Sequence, residues 1–316
     1  MKGVTGVRRV TVVCAALAML ALSAPALASG PEIAPAAPPE PPSWGEATRI
    51  WEAVSQAMAD FPGEYSVALE DLSTGRRWLY NADRLYHPAS TVKIPVALYA
   101  LEQYRAGKIG WQDLIEYTEA DFETPGEGFF AEAAFGELYP VGDLVNHALT
   151  HSNNVAVNML GRHFGWGNIE VWTASIGAGL THENRLPRAS AQSVLEWWIH
   201  LHRLAEEDPV NAELLLAPLR AVPYRGRISA GLPQGVPHLH KFGSYNGNYH
   251  DSGIVYTDPP YALVVLTEGA TLDEADAAIA RLSAAVYQTL TEPHWMAPRP
   301  FPVVEAHVNQ FGISAY

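Results

Sequence analysis

Apolar positions recur at helical spacing from Ser43 to Asp60, where Ile50, Trp51, Val54 and Met58 fall on one face. The pattern then changes to short strand-like runs. Tyr65–Glu70 and Arg77–Tyr80 read as two strands around the turn Ser73-Thr74-Gly75. From Ser90 to about Arg220 the spacing is mostly helical, with loops expected at Thr124-Pro125-Gly126, Gly165-Trp166-Gly167 and Leu186-Pro187. Strands return after Gly235, at His238–Gly243, Gly253–Thr257 and Tyr261–Thr267, and Leu272–Leu290 reads as a closing amphipathic helix. Strands at both ends with helices between them are not a βαβ series. They predict an α/β fold of the α+β kind: one antiparallel sheet built from the N- and C-terminal strands, flanked by helices, with a mainly helical region inserted.

The two ends carry a different message. Residues 1–28 have a basic start (Lys2, Arg8, Arg9), an apolar core from Val10 to Leu22 and the small-residue site Ala26-Leu27-Ala28, the pattern of an export signal cleaved after Ala28. That core is too short to span a bilayer comfortably, so no stable membrane span is expected after cleavage. Residues 29–43 are rich in proline and alanine and read as an extended linker. The expected domain is 44–291, and 292–316 is a proline-bearing tail with weak patterning.

Cys14, inside the signal, is the only cysteine. An exported domain without cysteine has no disulfide, thiolate catalysis or cysteine metal site, and about 270 residues suffice for one large core instead. The net charge of −14 becomes more negative when the signal's three basic residues leave, which argues against nucleic acid or an anionic membrane as partner. Lysine is scarce: only Lys2, Lys93, Lys108 and Lys241 occur.

Candidate chemistry begins at Ser90-Thr91-Val92-Lys93, ahead of a helix-like run. Positions i and i+3 share a helix face, so the hydroxyl and the amine meet. Serine is a weak nucleophile until a nearby base activates it, and free N–H groups at a helix start can stabilise an oxyanion. Alone, the pattern reads better as a serine helix cap. His151-Ser152-Asn153-Asn154 opens a second helix and reads by itself as a cap. His240-Lys241-Phe242-Gly243-Ser244 closes a strand, and His250-Asp251-Ser252-Gly253 follows a glycine-containing turn.

In this order the three segments resemble the class A β-lactamase-like group of penicillin-recognising serine hydrolases, which carry S-x-x-K, then S-x-N, then K-[ST]-G. The similarity runs from about Trp51 to Leu290 and includes the strand pair before Ser90 and the His250-Asp251-x-Gly253 segment. It implies that Ser90 is the nucleophile and that Lys93, its ammonium destabilised by burial and by Lys241, takes the proton. It further implies that Ser152 relays a proton to the leaving nitrogen and that Asn154 holds the substrate's amide side chain. Lys241 would attract a carboxylate, and the Gly243–Ser244 segment would line the substrate, with the backbone N–H groups of Ser90 and Ser244 forming the oxyanion hole. The implied ligand is a small-molecule β-lactam or a peptidoglycan peptide, taken by a monomer without cofactor.

Two departures qualify the resemblance. Phe242 stands where the group has Thr or Ser, removing a hydroxyl that helps hold the substrate carboxylate. The long loop carrying the glutamate that activates the deacylating water is largely missing between Ala174 and Pro187. Glu183 is the one acid there, expected to cap the following helix rather than replace that glutamate. Three activities stay open on these residues: slow β-lactam hydrolysis, D-Ala-D-Ala peptidase activity, and acylation without turnover. A metal hydrolase is disfavoured, because the helical pair His147 and His151 lacks the glutamate of a zinc protease motif.

Overall fold

The computed structural model describes residues 45–123, 128–184 and 186–291. The expected signal, linker and tail, and the loop expected at Thr124-Pro125-Gly126, lie outside the described residues.

Helix α1 (Gly45–Ala57) leads into strands β1 (Glu64–Asp71), β2 (Arg76–Tyr80) and the short β3 (Leu85–Tyr86). A 3-10 turn, Ala89–Val92, feeds α2 (Lys93–Arg105). The inserted region follows, with the small pair β4 (Leu114–Glu116) and β5 (Leu138–Pro140), then α3 (Val141–Thr150), α4 (Asn154–Phe164) and α5 (Trp166–Ser175). A hairpin of β6 (Thr181–Glu183) and β7 (Leu186–Ser190) precedes α6 (Ala191–Glu207), α7 (Pro209–Arg220) and the short α8 (Ile228–Gly231). The chain returns through β8 (His238–Tyr245), β9 (Asn248–Val255) and β10 (Tyr261–Glu268) to α9 (Leu272–Thr291).

The main sheet has the order β2-β1-β10-β9-β8, with every neighbouring pair antiparallel. This is the sheet expected from the two ends of the chain. Its strands are buried on both faces, so apolar residues at alternate positions enter two different cores. Val67, Leu69, Leu263 and Val265 pack with Ile50 and Val54 of α1 and with Ile279, Leu282 and Val286 of α9. Ala68, Leu239, Val264 and Leu266 face the inserted helices, joining Leu98 and Leu101 of α2, Leu144 of α3 and Trp197 and Trp198 of α6. Strand β8 is the sheet edge, and its free side lies against the 3-10 turn that carries Ser90. No helix among the described residues is long and apolar enough to cross a membrane.

Three expectations are corrected. Leu186-Pro187 opens β7 instead of a loop: Leu85 pairs with Ser190 and Tyr86 with Ala189, an association set by tertiary contact. The expected loop at Gly165-Trp166-Gly167 shrinks to Gly165, and Trp166 already begins α5. The strand expected from Gly253 starts at Asn248, because Asn246 (φ 42°) and Gly247 (φ 78°) form a two-residue hairpin turn directly after β8.

Candidate active site

Ser90, Lys93, Ser152, Asn154 and Lys241 come together at the junction of the sheet edge with α2 and α4. Lys93 starts α2, so its side chain turns back over the 3-10 turn, and its Nζ lies 2.8 Å from Ser90 Oγ. The same Nζ donates to Asn154 Oδ1 at 2.6 Å and lies 3.4 Å from Ser152 Oγ. From the other side Lys241 Nζ donates to Ser152 Oγ at 3.0 Å and to the Phe242 carbonyl at 3.0 Å. Ser152 is therefore the hydroxyl shared by two amines. Both lysines are almost completely buried. Burial, followed by the positive charges of Lys93 and Arg227, pushes Lys241 well below the ordinary lysine value, while Asp251 pulls the other way. Two amines around one hydroxyl disfavour each other's charge.

The backbone here is unusual. Ala89 (φ 49°), Ser152 (φ 57°) and Arg227 (φ 51°) are non-glycine residues in the left-handed half of backbone space, each costing about 1–3 kcal/mol. All three border the constellation. Ala89 turns the chain into Ser90, and Ser152 bends it between α3 and α4 so that the hydroxyl faces the lysines. Asn153 beside it caps α4, accepting from the Ala156 N–H at 2.9 Å.

Gly243 has a steric role. A methyl group there would stand 2.8 Å from the Ser90 backbone nitrogen and 2.9 Å from the Ala89 Cβ. Only glycine lets β8 pass this close to the Ser90 amide. Ser244 is exposed, and its Oγ accepts from Arg227 Nη2 at 2.7 Å.

Arg227 was not among the residues the motifs pointed to. It is 1% exposed, donates to the carbonyls of Gly243 (2.7 Å) and His250 (2.6 Å), and pairs with Asp276 of α9 at 2.7 Å. Its guanidinium lies 5.8 Å from the Tyr224 ring centroid and 6.0 Å from that of Phe242. Phe242 in turn covers Lys241 Nζ at 4.4 Å. The aromatic residue that replaces a hydroxyl thus shields one cation and packs near another, while Ser244 supplies a hydroxyl oriented by Arg227. No local pattern marks Arg227, which lies in an irregular stretch ahead of α8.

The histidines on β8 have other tasks. His238 bonds the Val236 carbonyl (2.9 Å) and Ser229 Oγ (3.0 Å). His240 Nδ1 lies 3.0 Å from Asp251 Oδ2, and its Nε2 lies 3.1 Å from the Tyr224 carbonyl. His147 is stacked on Phe129 with ring centroids 4.0 Å apart.

A model of the beta-lactamase enzyme family matches residues 49–290. The chain belongs to that family. Its fold is that of PBP-A, at TM-score 0.71 and 18% identity over 77% of this chain and 96% of PBP-A. A beta-lactamase from Sphaerobacter thermophilus matches at TM-score 0.68 and 25% identity, covering 78% of this chain and 98% of that one. A beta-lactamase from Rhodobacter capsulatus is 28% identical over 114 residues, 36% of this chain; the match spans 38% of that relative's length.

Within this beta-lactamase-like framework the expected helix cap by Glu183 is corrected. Glu183 lies in β6 with its side chain 66% exposed and is paired with Arg188 of β7 at 3.3 Å. Ser190 caps α6 instead, accepting from the Ser193 N–H at 3.1 Å. The chain between α5 and α6 is a short hairpin in which the exposed Glu183 is already engaged.

His250 is wholly buried, and burial pushes its imidazole down to about 4. It is held neutral in the fold and titrates near 6.5 in the unfolded chain. The unfolded state therefore binds more protons across that interval. This contribution to stability is complete above about pH 6.5 and is lost as pH falls toward 4, by roughly 3 kcal/mol in total. Urea unfolding at pH 7 and at pH 4.5 should show most of that loss, and His250→Gln should flatten the slope. Equal slopes in the two proteins would remove His250 as its source.

Proposed function

We propose that the protein is an exported serine hydrolase of the class A β-lactamase-like kind, which forms an acyl-enzyme at Ser90 with β-lactams and hydrolyses the lactam amide slowly. The observation that carries this reading is the continuous line of polar contacts from Ser90 through Lys93 and Ser152 to Lys241. Lys93, 2.8 Å away and acting in its uncharged form, takes the Ser90 proton while Oγ forms a bond to the lactam carbonyl carbon. The Ser90 and Ser244 amides receive the oxyanion. The carbonyl re-forms as the C–N bond breaks, and the nitrogen collects its proton from Ser152, which Lys93 or Lys241 replenishes. Lys241 attracts the carboxylate common to penicillins and D-alanine termini. Asn154 has Oδ1 engaged by Lys93, and its amide N–H₂ is assigned to a substrate carbonyl.

The position of Glu183 favours a second reading on the same site. With that acid exposed and paired, the acyl-enzyme could accumulate, which suits a D-Ala-D-Ala peptidase acting on peptidoglycan peptides, or a β-lactam-binding domain without turnover. A PBP-A mutant is known as an acyl-enzyme complex with penicillin-G. Intact-mass spectrometry after mixing with penicillin should show addition of the whole penicillin mass, followed by slow return to free protein. Absence of any adduct overturns the proposal. A permanent adduct selects the binding domain, and D-alanine release from a D-Ala-D-Ala peptide selects the peptidase.

A further inference from the structure

His250 sits behind the proposed site and touches both halves of it. Its Nε2 lies 2.7 Å from the His87 carbonyl, and its Nδ1 accepts from the Thr267 N–H at 3.0 Å. A carbonyl only accepts and a peptide N–H only donates, so the proton is on Nε2 and the tautomer is fixed. The ring also packs edge-on against Tyr86, with centroids 5.9 Å apart. Its side chain thus joins β10 to the turn His87–Ser90. That turn is stiff: the Ala89 N–H donates to His87 Nδ1 at 3.0 Å, and the Thr91 N–H and hydroxyl both donate to the Pro88 carbonyl. A pull on the His87 carbonyl is therefore carried to the Ser90 backbone.

The backbone of His250 belongs to the opposite half. It pairs in register with Gly243, and its carbonyl shares Arg227 Nη1 with the Gly243 carbonyl, while Nη2 of the same guanidinium holds Ser244. Contact at Gly243 prevents the strand and the Ser90 turn from approaching further. The bond from His250 to His87 prevents them from drifting apart.

We propose that His250 is a positioning residue that sets the separation between the Ser90 and Ser244 backbone amides. The inference rests on the reading of these amides as the oxyanion hole. It assigns His250 no contact with substrate; it acts through the His87 carbonyl. Misplacing reacting groups by about 1 Å costs roughly 100-fold in rate.

Two variants separate this role from plain support of the fold. The amide nitrogen of His250→Gln can occupy the place of Nε2 and keep the bond to His87. The side chain of His250→Asn reaches only the place of Nδ1 and loses that bond. Penicillin acylation should be followed at saturating and subsaturating concentration, with melting temperature as the measure of folding. The expected result is that His250→Gln acylates within about threefold of wild type, whereas His250→Asn loses tenfold to 100-fold in the saturated rate with little change in penicillin affinity. Folded Gln and Asn variants that acylate alike overturn the inference. If the Asn variant does not fold, a folded Gln variant slowed tenfold or more overturns it, and one near the wild-type rate supports it. A wild type that penicillin does not acylate removes the reading of the site and this inference with it. An acylated wild type with indistinguishable variants removes the inference alone.

Discussion

Penicillin should leave Ser90→Ala unlabelled while adding its full mass to the parent protein. Ser90 is the hydroxyl 2.8 Å from Lys93 Nζ, and replacing it with alanine removes that contact without touching either core. Ser152, the other hydroxyl within reach of Lys93, is 3.4 Å away and already receives Lys241. Lys93→Ala should keep Ser90 but slow acylation by about 10²–10⁴-fold, the usual worth of a positioned base. Far-UV circular dichroism on both variants separates lost chemistry from lost fold. Labelling that persists in Ser90→Ala, or maps to Ser152, would overturn the assignment of the nucleophile.

The second large effect concerns release. In the proposed mechanism acylation needs a base at Ser90, a part given to Lys93, whose Nζ is 2.8 Å from its Oγ. Deacylation needs an activated water, and Glu183, the acid of the shortened segment between α5 and α6, is exposed and paired with Arg188. Losing general-base help slows that step by about 10²–10⁴-fold. Rapid mixing with a chromogenic cephalosporin should therefore give a burst near one equivalent and then a slow phase, and Glu183→Gln should leave both phases unchanged. Fast turnover without a burst, collapsing in Glu183→Gln, would make Glu183 the missing base.

Much of this architecture is legible along the chain because periodicity and turn chemistry act locally. Ile50, Val54 and Met58 mark the face of α1, and the alternation in β1 distributes its side chains between two cores. The residues of the three motifs are identifiable because a serine–lysine pair, a second serine and a second lysine come in a characteristic order, and folding brings them within hydrogen-bonding distance. Asn246-Gly247 is a two-residue hairpin signal that predicts the start of β9 at Asn248 when read as such. Other features have no local cause. Strand β7 exists through its pairing with β3, and Arg227 matters through partners on β8, β9 and α9 that sequence spacing does not reveal. His250 looks like one more strand residue until its two nitrogens are traced to His87 and Thr267.

The burial of Lys93 and Lys241 has a consequence for handling the molecule. Beyond the expected cleavage point the one remaining lysine is Lys108, which is exposed in the turn after α2. Amine-reactive dyes, biotin esters and aldehyde-activated surfaces therefore meet a single accessible side-chain amine. Attachment through Lys108 would hold the protein in one orientation, distinct from attachment through the α-amino terminus, with the buried Lys93 and Lys241 left untouched under native conditions.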